Sequence, residues 1–147
     1  MATINDKILF INDAFYKYTL PNSRNVDEAE LVSLVRLNQT TLVVDLLTDS
    51  LYSEIYSSLE SQSFAIADVE ELFPFVQRYL ATCVYIDLHD DDAYKLKRHA
   101  MKIKRDMYVS RITSMIVKST DLTKLTSNPD IGGFESEDIR PDGTFFL

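Results

Sequence analysis

The chain has no glycine before residue 132; Gly132, Gly133 and Gly143 all fall near its end. Tight β-turns depend on residues that accept positive φ, so so long a glycine-free stretch is poor material for hairpins. It is good material for helices, in which each glycine costs about 1 kcal/mol relative to alanine. Only two of the four prolines, Pro21 and Pro74, precede residue 129. The expectation is an all-α protein: a small bundle of about four helices with an N-terminal extended arm and an extended C-terminal arm.

A chain of 147 residues suits one domain with a real core. Its 46% hydrophobic and 26% charged residues are those of a folded, soluble protein. The apolar runs, such as those within "KILFI" and "TLVVDLL", fall far short of the roughly 18 to 20 residues that a membrane span requires. No secretory signal is read in "MATINDKILFIND", which carries acids early. The single cysteine, Cys83, lies in the apolar run "YLATCVYI" and reads as a buried structural thiol in a reducing compartment.

Apolar spacing places the helices. "DKILFINDAFYKYTLPNSRN" is β-branched and aromatic and forms the N-terminal arm, to about residue 24. Asn25 caps a helix over about 26–47, with Asp27, Glu28 and Glu30 suiting its positive end and Leu31, Leu34, Val35, Leu42, Val43, Leu46 and Leu47 along one side. A bend near Thr48 follows, because Asp49 or Ser50 can cap a new helix carrying Leu51, Tyr52, Ile55, Tyr56 and Leu59. A third helix covers about 68–88. Pro74 must lie within its first turns or kink it, since an interior proline costs about 3 kcal/mol.

The fourth helix starts in "HDDDAYKLKRHAMKIKRDMY" and extends through "VSRITSMIVKS". Leu96, Ala100, Ile103 and Met107 share one face, and Ile112, Met115 and Ile116 continue an apolar side. His89 with Asp90, Asp91, Asp92 and His99 is not read as a metal site. Consecutive helical residues point about 100° apart and cannot converge on one ion, and a calcium-loop spacing is missing. The acids serve instead as a turn and cap. Domain organisation follows: residues 1–118 form the helical domain, and residues 119–147 a C-terminal docking arm whose Phe134, Phe145, Phe146 and Leu147 gain burial only on a partner.

Charge is polarised along the chain. The formal total is −8. From Leu37 to Asp92 eleven acids face one base, Arg78; from Ala93 to Lys118 eight bases face one acid, Asp106. Lys95, Arg98, Lys102 and Arg105, spaced by three, four and three, form a cationic stripe beside the apolar face, and Lys97 with Lys104 broadens it. Three readings are open for it: a solvated helix face, a contact to acidic protein including another copy of this chain, or DNA contact. The net negative charge weighs against a general nucleic-acid binder. No phosphate loop, nucleophile elbow or zinc-protease motif is found, so neither an enzyme nor a cofactor is expected.

The run "NVDEAELVSLVRLNQTTLVVDLLTDSLYSEIYSSL" resembles the start of head-tail connector, or adaptor, proteins of tailed phages, in particular the small ring proteins of crAss-like and related Bacteroidetes phages. In that family an "N-V-D" entry leads to a long helix, a break often written Leu-Gly, and "L-Y-x-x-I" opening the next helix. Here these parts are Asn25 to Asp27, the helix to Leu47, and Leu51, Tyr52 and Ile55; the glycine of the break is missing from "LLTDSLY". "FPFVQRYLATCVYIDL" is similar to the family's following helix. The resemblance spans roughly residues 4–118. It implies a homo-oligomer, a dodecameric ring below the portal, that contacts portal and tail proteins, lies in the virion after synthesis in the host cytoplasm, and lets DNA pass its lumen without sequence-specific contact. It implies no catalytic residue and no membrane. The alternative is a phage-encoded acidic protein that binds and regulates a host factor.

Overall fold

The computed structural model describes residues 9–11, 15, 28–89 and 95–126. It is all-α, as expected. Helix α1 is Glu28–Asn38, followed by a single π turn, Gln39–Val43, and helix α2, Val44–Ser61. Helices α3 (Ala67–Leu88), α4 (Lys95–Lys118) and α5 (Thr120–Thr126) complete the described bundle. α3 is its centre: α1 and the π turn pack on α3, α4 packs along it, and α5 folds back against α2 and α4.

The sequence places α3 there. Its stretch Tyr79 to Tyr85 is buried at every position, so packed neighbours surround the helix there instead of one stripe. Val43, Leu47, Leu51 and Ile55 close the core from the α1–α2 side, and Ile112 and Leu122 from α4 and α5. Ala29–Ser61 is long and apolar enough by composition to cross a membrane. Its backbone breaks at Thr48, Asp45 and Asp49 stand exposed on it, and Leu47, Leu51 and Ile55 are spent inside the bundle, which is the pattern of a core helix pair.

Two irregularities shape that pair. The π turn carries an extra residue in its widened loop and aims Gln39 inward. The Gln39 side chain accepts the backbone N–H of Phe10 at 2.6 Å and donates to the Tyr52 hydroxyl at 3.0 Å. Gln77 donates to the Phe10 carbonyl at 2.9 Å. Both backbone groups of a buried Phe10 are thereby paired, without a strand or helix to pair them. The Phe10 ring stacks on Tyr52 at 5.1 Å and meets Phe73 edge-on at 5.6 Å. The expected N-terminal arm thus contributes Phe10 and Ile11 to the core; its other residues, Leu9 and Phe15 excepted, lie outside the described residues.

The second irregularity is the bend at Thr48, where the sequence placed it. Thr48 has φ 73° and ψ 164°, a region that essentially only glycine occupies without cost. Pro74, by contrast, is the eighth residue of a helix that begins at Ala67, past the first turn, and the helix runs through it. The segment 120–126 of the expected docking arm is helical. Ser119 caps it, its hydroxyl accepting the Leu122 N–H at 3.1 Å and donating to Asp68 at the start of α3 at 2.5 Å, and Leu122 enters the core. The remainder of that arm, with Phe134, Phe145, Phe146 and Leu147, lies outside the described residues, as do Asp90, Asp91 and Asp92.

Candidate interaction surface

α4 holds the surface that the sequence singled out, and its geometry follows from its period. At about 100° per residue, Met101, Tyr108, Ile112 and Ile116 point toward α3, and of the helix only Ile112 is fully buried. Leu96, Ala100, Ile103, Met107, Ser110, Ser114 and Val117 alternate spacings of four and three and fall on the opposite side. The four large members are exposed at 84% for Leu96, 52% for Ile103, 63% for Met107 and 73% for Val117. The face that the sequence grouped as Leu96, Ala100, Ile103 and Met107 therefore points outward. It has the spacing of a coiled-coil seam, and no helix among the described residues covers it.

The cations divide between the two sides. Lys95 and Lys102 are exposed, on one flank of the outward stripe. Arg98 and Arg105 are half-buried and turn toward α3: Arg98 Nη1 donates to the His89 carbonyl at 3.0 Å, placing a cation at the negative end of α3. Arg105 Nε donates to Asp106 at 3.4 Å, and its charge reaches Tyr79 and Cys83. The four do not share one exposed face. A second row does: Lys97, Lys104, Arg111 and Lys118 are all exposed, spaced by seven, on the other flank of the stripe. A strict seven-residue recurrence was the sequence signal for this row. The Arg111 guanidinium stands over the Phe75 ring at 5.0 Å, and Arg78 over the same ring at 5.4 Å, so this flank is continuous with α3. An open hollow lined by Phe75, Ile103, Met107 and Arg111 lies between them.

The α1–α2 side offers the opposite sign. Leu37 (56% exposed) and Leu42 (39%) stand on the outside of the helix pair with Asp45 and Asp49 beyond them. From Leu37 through Gln77 the chain holds seven acids and no base.

The interior has little chemistry to offer. Burial pushes the Cys83 thiol up to about 11, against a smaller downward pull from the Tyr79 hydroxyl that hydrogen-bonds it, so the sulfur stays protonated at neutral pH and is no nucleophile. Burial also raises Tyr79. Among the described residues no three of His, Cys, Asp and Glu converge as metal ligands would.

Comparison with protein-family models, curated proteins and solved structures finds no match to this chain.

Proposed function

We propose that the protein is a head-tail connector subunit of a tailed phage, forming a ring below the portal through which DNA passes and joining capsid to tail. The observation that carries this reading is the break at Thr48. The resembled family writes a glycine at this break, between a long helix and a helix opening "L-Y-x-x-I". Here a threonine occupies a glycine-type backbone conformation at that point, and Leu51, Tyr52 and Ile55 of the following helix are buried. A glycine-type conformation at the position where the resembled family writes glycine supports the reading.

The outward stripe of α4 supports assembly. An exposed apolar row from Leu96 to Met107 bordered by cations, on a chain otherwise acidic, is costly to leave in water and suited to an electrostatically complementary neighbour. The ring is dodecameric, its neighbours are portal and tail proteins, and the negative total charge keeps the DNA path free of tight phosphate contacts. The test is mass spectrometry of purified phage particles joined to electron microscopy of the isolated protein. The chain is expected among the virion proteins and as rings with a central channel. Absence from particles overturns the reading in favour of an acidic regulator of a host factor.

A further inference from the structure

The α4 stripe raises the question of what covers it. A symmetric pairing of α4 with α4 of another copy would satisfy the apolar spacing, but it would set two segments of eight bases and one acid against each other. Like charges at an interface cost several kcal/mol. The Leu37–Leu42 strip of α1–α2 meets both requirements, apolar at its centre and acidic at Asp45 and Asp49. Among the described residues α1 and α4 each pack on α3 and share at most marginal contact with one another, so the two strips are separated by α3.

We infer that α4 of one copy docks its Leu96–Val117 stripe, with the Lys97, Lys104, Arg111 and Lys118 row, onto the Leu37, Leu42, Asp45 and Asp49 strip of a second copy. The contact is head-to-tail. Each subunit gives α4 to one neighbour and its acidic strip to the other, and repetition of such a contact closes into a ring or runs on as a filament. This is the contact within the ring proposed above and rests on that reading. Exposed charges flank the apolar centre, so salt slows association and loosens the contact, with screening over about 8 to 10 Å at physiological ionic strength.

Two full-length variants test it, both at exposed positions, with circular dichroism checking that each keeps its helices. Ile103→Asp with Met107→Asp disables the α4 side; Asp45→Lys with Asp49→Lys disables the acidic strip. Analytical ultracentrifugation and native mass spectrometry at micromolar concentration are expected to show wild-type oligomers and each variant alone as a monomer. Mixed in equal amounts, the two variants should give a dimer and nothing larger, because one intact α4 meets one intact strip. Self-association of the Asp45→Lys/Asp49→Lys variant would overturn the inference in favour of symmetric α4 pairing. Oligomers of wild-type size from both variants would overturn it while leaving the ring reading in place. A wild-type protein that stays monomeric also overturns it, whether residues 127–147 or another protein covers the stripe; the ring reading is then judged separately by particle composition.

Discussion

α3 and α4 are nearly the same length, 22 and 24 residues, and lie side by side, yet ten residues of α3 are buried against one of α4. The inner half of the molecule, α1 to α3, also holds what is irregular in the described backbone: a π turn, the break at Thr48, an interior proline, and buried polar side chains such as Gln39 and Thr82. α4 is a regular helix with apolar side chains on two opposite faces. The difference separates two tasks. Stability is concentrated around α3, where a substitution at any position from Tyr79 to Tyr85 meets packed neighbours. α4 needs α3 for only one of its faces and keeps the other for a contact outside the subunit.

The largest effect expected from this contrast comes from equal truncations on the two helices. Leu80 on α3 is wholly enclosed, so Leu80→Ala removes buried methylenes and leaves a cavity; a loss of about 2 to 5 kcal/mol is expected in urea unfolding. Leu96→Ala on α4 deletes the same atoms from water and should stay within about 0.5 kcal/mol. In oligomerisation the order reverses: Leu96→Ala weakens assembly, and Leu80→Ala does so only as far as it unfolds the subunit. Comparable stability losses from the two would break the division.

A smaller effect sharpens it from the side of α3. The Cys83 thiol is raised by burial from its ordinary 9.0 to about 11. Between those values the unfolded chain has released the proton and the folded chain has kept it, so the folded state binds more protons and stability falls as pH rises. Two units correspond to about 3 kcal/mol at most. Unfolding free energies measured from pH 9 to pH 11 should decline, and Cys83→Ala should make the decline shallower. An unchanged slope in the variant would show that water reaches the sulfur.

How much of this was legible follows the same boundary. The helical class, the bend at Thr48 and the spans of α3 and α4 were readable, because glycine scarcity, caps and apolar spacing are local properties of the chain. The orientation of α4 was not. With Leu96, Ile103 and Met107 on one side and Met101, Tyr108 and Ile112 on the other, both faces are apolar, and only packing on α3 decides which turns inward. The division of the cations was hidden for the same reason: Arg98 and Arg105 went inward with their face, while Lys97 and Lys104 are continued along the exposed flank by Arg111 and Lys118. Gln39 gave no local signal at all. Its value lies in Phe10 and Tyr52, 29 and 13 residues away. The entry of Phe10 and Ile11 into the core depends on that distant pairing.

The smallest expected effect tests the strain in the inner half, and its sign is more informative than its size. Thr48 is exposed, so replacing it removes no packing, and what remains is the backbone preference at φ 73° and ψ 164°. A Cβ atom is disfavoured there by about 1 to 3 kcal/mol, whereas glycine adopts the region freely. Against this gain stands the greater entropy that glycine gives the unfolded chain, about 0.5 to 1 kcal/mol. Thr48→Gly should therefore stabilise by about 1 kcal/mol and raise the melting temperature by roughly 2 to 4 °C, while Thr48→Ala, which keeps the Cβ, should not. In an uninterrupted helix the ranking is the opposite, with alanine ahead of glycine by about 1 kcal/mol. A melting temperature higher for Thr48→Ala than for Thr48→Gly would mean that α2 runs through Thr48 as one unbroken helix.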